Sequence, residues 1–148
     1  MVELALSLAL PRDEMTVPVA RQIASGAMDR LGVDRDCVSD IEVALSEACT
    51  NVIQHSGPGD DYEVSVTLNE THCIIRVIDR GHGFDSATLS TGSDLAAERG
   101  RGVQLMQALV DRVQFESKPE EGTIVHLEKV LAFEDGSVIR RLEGRSGG

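Results

Sequence analysis

Three polar side chains recur at four-residue intervals in the segment SEACTNVIQHSGPGDD, namely Glu47, Asn51 and His55. In a helix, residues four apart differ by only about 40° around the axis, so these three would form one stripe along it. A carboxylate can accept a proton, and a carboxamide oxygen can bind a hard cation such as Mg²⁺. A solvated helix face is the alternative interpretation of this stripe taken alone.

Apolar residues of the same predicted helix form an arc beside the stripe: Ile41, Ala44, Leu45, Ala48 and Val52. We expect this arc to face the core. The polar stripe would then lie at the edge of the buried face, where a cleft would be.

A second candidate is Asp79, which ends the apolar run CIIRVI and is followed by Gly81 and Gly83. A carboxylate at a strand end can accept a hydrogen bond from an exocyclic amine. Glycines nearby remove side chains that would block a flat ring. The alternative is an ordinary D-x-G turn.

A third candidate is the segment ERGRGVQLM, in which Gly100 and Gly102 flank Arg101. If a helix starts at Val103, as its pattern predicts, exposed N–H groups and the helix dipole would form an anion site there. A flexible loop at a helix start is the alternative. The pair Gly122–Thr123, at the head of the last predicted strand, indicates nothing by itself.

Periodicity predicts the elements that position these residues. The segment VELALSLALP is expected to be a strand, followed by a helix that presents Val19, Ile23, Ala27 and Leu31 on one face and stops at Gly32. A second helix carries Glu47 and Asn51. A hairpin turns near Asn69, a long glycine-containing loop follows, a third helix ends near Asp111, and a last hairpin completes the pattern.

This order predicts a two-layer α/β sandwich, with a mostly antiparallel mixed sheet and three helices on one face. Residues 1–133 are expected to form one domain. Residues 134–148 are expected to be a tail that is either a short hairpin or disordered.

Composition limits the function classes. The chain has 148 residues, a net charge of −11 and 3% aromatic residues, which argues against a nucleic-acid-binding surface. Three cysteines without C-x-x-C spacing predict reduced thiols in a cytoplasmic protein. No signal peptide or apolar run of about 20 residues indicates export or a membrane span.

The motifs occur in the order E-x-x-x-N on a helix, D-x-G-x-G after a strand, G-x-G near a helix and G-T in a strand. This combination resembles the Bergerat-type ATP-binding fold shared by gyrase, histidine kinases and mismatch-repair ATPases. From Val2 to Leu131 the chain is most similar to the anti-sigma-factor serine kinases of bacteria. The segment ALSEACTNVIQH is particularly like that family's first motif.

The resemblance implies ATP and Mg²⁺ as cofactors. Asn51 would bind Mg²⁺, and Glu47 would be the general base that accepts the proton of a serine hydroxyl on a partner protein. His55 would lie at the nucleotide rim or cap the helix end. Asp79 would accept the adenine amino group, and Thr123 would hydrogen-bond in the same corner.

The same resemblance assigns the glycine-rich segments. Gly81 and Gly83 would let the base approach the backbone, and residues 85–99 would form an ATP lid. Four residues would surround the phosphates: Gly100, Arg101, Gly102 and Val103. Either Arg99 or Arg101 would meet the γ-phosphate, and the sequence leaves that choice open.

The implied partners are a sigma factor, a STAS-type anti-anti-sigma protein and a second copy of the chain, with no direct nucleic-acid or membrane contact. The first helix and the opening strand are candidate contacts for the dimer or the sigma factor. No histidine precedes His55, and we expect no coupling domain after the ATP-binding domain, which favours a stand-alone switch. The alternatives are a non-catalytic ATP-dependent module that sequesters a regulator, or a slow ATPase.

Overall fold

The structure is a computed structural model that describes residues 2–55, 61–79, 93–118 and 122–146. The elements of this part are β1 (Glu3–Pro11), α1 (Thr16–Leu31), α2 (Arg35–His55), β2 (Asp61–Asn69), β3 (His72–Asp79), α3 (Ser93–Leu109), β4 (Arg112–Lys118), β5 (Gly122–Val130) and α4 (Val138–Ser146). None of the helices in these ranges is long and apolar enough to cross a membrane.

The strands form one five-stranded sheet in the order β1-β2-β3-β5-β4, and every neighbouring pair is antiparallel. Successive side chains alternate between the two faces, so Val64, Val77 and Val125 point together toward the helices and are buried. The predicted two-layer α/β class is confirmed. The described strand pairs are all antiparallel rather than mixed, and the described ranges contain a fourth helix.

The predicted hairpin between β2 and β3 is confirmed. The side-chain oxygen of Asn69 accepts hydrogen bonds from the backbone N–H groups of Thr71 and His72, both at 2.8 Å. Asparagine favours turns because its side chain can replace a backbone acceptor in this way. The turn sets the register that brings Asp79 opposite Tyr62 at the other end of the hairpin.

Helix α1 buries a stripe beside the apolar face that its pattern predicted, and of that predicted face Ala27 and Leu31 pack against the core. The buried residues are Val17, Ala20, Ala24 and Met28, whereas Val19 and Ile23 are 44% and 42% exposed. Two apolar stripes lie side by side on this helix. The stripe with the smaller side chains faces the interior, because alanines allow α1 to approach its neighbours closely.

Helix α2 behaves as predicted. Every residue of its apolar arc is 0–1% exposed. At its C-terminal end, the guanidinium of Arg12 donates to the carbonyl oxygen of Ile53 at 3.3 Å. A cation at this end of a helix satisfies a carbonyl that has no partner within the helix.

Helix α3 begins at Ser93, ten residues before the predicted start at Val103, so the prediction of a loop up to Gly102 is wrong for residues 93–102. The residues of DLAAERGRG that precede Val103 include strong helix formers such as Leu95, Ala96 and Ala97. Their propensities offset two glycines, each of which costs about 1 kcal/mol relative to alanine in a helix.

The C-terminal tail forms helix α4 instead of the hairpin or disordered segment that its D-G pair indicated. The carbonyl oxygen of Gly32 accepts from the N–H of Glu134, and that of Ala132 accepts from the N–H of Asp34, both at 2.8 Å. Ile139 in α4 is buried as well. We call Gly32–Asp34 with residues 132–139 the C-terminal clamp. The division at residue 133 stays a prediction.

Candidate functional site

The stripe of helix α2 lies where the sequence predicted it, beside the buried arc. Glu47 and Asn51 are half-buried, whereas Ala44 and Ala48 next to them are fully buried. His55 is the last residue of α2, and its side chain lies outside the part of the chain that the structure describes. A carboxylate and a carboxamide are therefore present together at the boundary between core and solvent.

Helix α3 packs against the carboxylate of this stripe. A methyl group added at Gly102 would lie 3.3 Å from Oε2 of Glu47, closer than most side chains tolerate. Met106, one turn further along α3, is fully buried, so Gly102 lies on the face that α3 turns to the interior. We call Glu47, Gly102 and Met106 the α2–α3 seam.

A second pair of polar groups lies at the end of the sheet. Asp79, the last residue of β3, is 0% exposed, and Thr123, near the start of β5, is 6% exposed. The register pairs Ile78 with Ile124, so Asp79 and Thr123 are the next residues on the two strands, opposite each other on the helix-facing side. The hydroxyl oxygen of Thr123 is buried and has no hydrogen-bond partner within the described ranges.

Sequence reasoning missed the network next to Asp79. Tyr62, the register partner of Asp79, shares a 2.6 Å hydrogen bond with the hydroxyl of Thr16. Burial raises the pKa of Tyr62 to about 12, and burial likewise raises the pKa of its other hydrogen-bond partner, Cys49, to about 12. Both groups are therefore uncharged at neutral pH. Tyr62 is the chain's one tyrosine, which was a signal that sequence reasoning could have used.

These contacts join the helix stripe to the sheet end. Cys49 lies in the same turn of α2 as Asn51 and hydrogen-bonds to Tyr62, which pairs with Asp79. The structure therefore places Asp79 opposite Thr123 at the end of the sheet and connects this pair, through Tyr62 and Cys49, to the helix that carries Glu47 and Asn51.

The remaining candidates divide into two groups. Gly100, Arg101, Gly102 and Val103 lie inside α3, so the helix does not start at Val103 as predicted, and the anion site stays a prediction. Arg101 is exposed, while the side chain of Arg99 lies outside the described residues. Gly81, Gly83 and lid residues 85–92 also lie outside them, and lid residues 93–99 are helical.

The comparisons with known proteins identify the family of the chain. Residues 10–129 match the family described as the histidine kinase-like ATPase domain. The chain is 35% identical over 151 residues to the serine-protein kinase RsbW of Halalkalibacterium halodurans, with 90% of each chain covered. It is 31% identical over 153 residues to RsbW of Bacillus velezensis, which covers 93% of this chain and 94% of that one. The chain thus belongs to the histidine kinase-like ATPases and, among them, to the RsbW serine-protein kinase family.

Solved structures confirm the fold. The RsbU and RsbW domains of a Mycobacterium tuberculosis protein align with a TM-score of 0.67 at 20% identity, over 86% of this chain and 32% of that one. A histidine kinase domain from Erythrobacter litoralis aligns with a TM-score of 0.51 at 16% identity, over 82% of this chain and 62% of that one. The family predicted by resemblance is therefore confirmed by sequence, and its fold by structure.

Proposed function

We propose that this protein is an anti-sigma factor that binds and inhibits a sigma factor. It uses Mg·ATP to phosphorylate a serine of a STAS-type anti-anti-sigma protein. The observation that carries the proposal is the buried pair Asp79 and Thr123 at the sheet end, connected through Tyr62 and Cys49 to the helix that carries Glu47 and Asn51, in a chain of the RsbW family.

The sheet end fits an adenine base. Asp79 is fully buried yet lies at a strand terminus, a position where an acceptor can meet an exocyclic amine. The buried hydroxyl of Thr123 beside it has no described partner, and such a group costs about 1–3 kcal/mol unless something bonds to it. The uncharged Tyr62 and Cys49 add no charge that competes with a neutral base. Gly81 and Gly83 are proposed to line the same corner.

The α2 stripe fits the chemistry of phosphoryl transfer. Bound Mg·ATP supplies the phosphoryl group. Asn51 offers an amide oxygen to the cation, which favours hard oxygen ligands and keeps several waters. Glu47 accepts the proton of the serine hydroxyl at its carboxylate and orients that hydroxyl. Because the carboxylate is half-buried, it remains reachable from solvent by a partner's side chain.

The phosphate end is assigned to helix α3 and its neighbours. We place Gly100, Arg101, Gly102 and Val103 around the phosphates, with Arg99 or Arg101 at the γ-phosphate and His55 at the rim. Arg101 is exposed, as a cation that receives a ligand must be. Residues 85–99 are proposed to act as the lid.

Two surface features support association with a second copy. β1 is at the edge of the sheet, so one side of its backbone has no strand partner in the described ranges. Met15, which caps the start of α1, and Val19 and Ile23 within it follow each other at four-residue steps and are exposed. We propose that these elements contact the second copy or the sigma factor. Light scattering of the parent and of Val19→Asp with Ile23→Asp would detect a dimer that depends on this stripe.

The test of the proposed function uses the unmutated protein with Mg·ATP, a STAS-type protein and a sigma factor from the same cell. We expect phosphate on a serine of the STAS protein, measured by mass spectrometry, and sigma binding measured in parallel. Tight sigma and ATP binding with no labelled serine would favour a non-catalytic binding module instead. As a check on the nucleotide site, Asp79→Asn should weaken ATP binding about tenfold to a hundredfold in calorimetry.

A further inference from the structure

The α2–α3 seam contains a contact that the roles proposed above do not use. Gly102 lies on the inward face of α3, one turn before the buried Met106. An added methyl group there would lie 3.3 Å from Oε2 of Glu47. The backbone of α3 therefore forms one wall of the space that the carboxylate occupies.

The close approach at Gly102 distinguishes it from two other glycines in helices. Gly26 in α1 and Gly144 in α4 also lie within helices, but a methyl group added at either would meet nothing within 4 Å. Alanine is the better helix former at such positions, so a glycine there costs stability. At Gly26 and Gly144 that cost has no steric reason, whereas at Gly102 the absent side chain leaves room for the carboxylate of Glu47.

The chemistry explains why this space matters. A general base works only when its oxygen lies within about 2.6–3.2 Å of the proton donor. A methyl group at Gly102 would move the carboxylate by a few tenths of an ångström or rotate it away. A misplacement of about 1 Å can cost roughly a hundredfold in rate, so a smaller displacement is still measurable.

We propose that Gly102 is a positioning residue for phosphoryl transfer, which sets the orientation of the Glu47 carboxylate by leaving a gap in helix α3. The inference rests on the proposed function, because it takes Glu47 as the base. It gives Gly102 a second role, which acts through Glu47, beside its proposed place near the phosphates.

The test compares Gly102→Ala with Gly26→Ala, the same change at an unobstructed helical position. Gly102→Ala should lower kcat for phosphorylation of the STAS protein about tenfold at saturating Mg·ATP, where any change in ATP affinity no longer affects the rate. Gly26→Ala should leave kcat unchanged and raise Tm by about 2 °C. A weaker ATP affinity with kcat at saturating Mg·ATP unchanged would overturn the proposal, since Gly102 would then serve the nucleotide alone.

A double-mutant cycle separates positioning from an independent effect. Glu47→Gln keeps the size of the side chain but cannot take a proton. If Gly102 acts through Glu47, adding Gly102→Ala to Glu47→Gln should change kcat by less than about twofold. Equal tenfold effects in both backgrounds would contradict the inference. If the parent protein phosphorylates no serine of the STAS protein, the proposed function is refuted. If the parent phosphorylates it and Gly102→Ala is equally active, only the role of Gly102 is refuted.

Discussion

Gly102 in the α2–α3 seam and Gly32 in the C-terminal clamp both permit a close approach, but their neighbours differ. At Gly102 the neighbour is the far end of a half-buried carboxylate, 3.3 Å from an added methyl group. At Gly32 the backbone has φ of +86°, and the added group would lie 2.4 Å from Cβ and 2.9 Å from Cα of Ser137. A carboxylate can rotate away, whereas a backbone cannot. Substitutions in the seam should therefore change chemistry, and substitutions in the clamp should change stability.

The largest expected effect is in the seam. Glu47→Gln should lower phosphoryl transfer by roughly 10²–10⁴-fold, because the amide cannot accept the serine proton. The free energy of unfolding should stay within about 0.5 kcal/mol of the parent, since the side chain is half-buried and keeps its size. Single-turnover transfer assays and urea unfolding measure the two quantities. Glu42→Gln, the same change in the same helix, is the control, and an equal loss of transfer in both variants would contradict the assignment of the base.

The next effect is in the clamp. Gly32→Ala should lower the free energy of unfolding by about 2–4 kcal/mol, because it combines left-handed backbone strain with a collision against Ser137. Gly136→Ala is a matched control, since Gly136 has φ of +73° but open space around it, and it should lose only about 1 kcal/mol. Transfer per folded molecule should be unchanged in both. Equal losses of stability in urea unfolding would show that the contact with Ser137 contributes nothing.

The third prediction concerns the pH dependence of stability and the buried thiol of Cys73, which belongs to neither the seam nor the clamp. Burial raises the pKa of Cys73 from 9.0 to about 12. The folded state holds this proton more tightly than the unfolded state does, so the stabilisation is complete below about pH 9 and is lost as the pH rises toward 12. Between these values one such group removes about 1.4 kcal/mol per pH unit. In urea unfolding at pH 7 to 11, the free energy of unfolding should fall less steeply with rising pH for Cys73→Ala than for the parent. Equal slopes of free energy against pH would contradict this prediction.

The smallest effect concerns the far end of α3. The ammonium of Lys129 donates to the carbonyl oxygen of Leu109 at 2.8 Å and to Asp40 at 3.2 Å, which ties the end of α3 to α2. Lys129→Met should lower the free energy of unfolding by about 1 kcal/mol, a modest value because Asp40 is partly exposed. Asp40→Asn, which keeps the bond to Leu109, should cost less. If Lys129→Met also abolished transfer, the seam would depend on the anchorage of α3 at this end.

Helix α2 and the hairpins could be predicted because their determinants are local. The arc from Ile41 to Val52 repeats at the helical period and has only one face that can be buried. The turn at Asn69 carries its own acceptor for two backbone N–H groups. Glu47 and Asn51 lie on the same side of α2 because residues four apart in a helix differ little in angle around its axis.

The predictions were wrong where the local sequence is compatible with two different structures. Helix α1 has two adjacent apolar stripes, and the sequence does not show which one meets α2 and the sheet. The segment before Val103 combines two glycines with strong helix formers. The tail joins a D-G pair to an amphipathic segment in which Ile139 is buried.

The sequence by itself determined the elements with a single apolar face, the order of the motifs and the need for glycine at the end of α1. Hydrogen bonds within a few residues and the burial of one face are sufficient for these features. Only the tertiary structure decided that Tyr62 lies beside Asp79, that Ser137 covers Gly32 and that Gly102 faces Glu47. These contacts join residues far apart in the chain. They depend on how whole helices and strands pack, which no local pattern specifies.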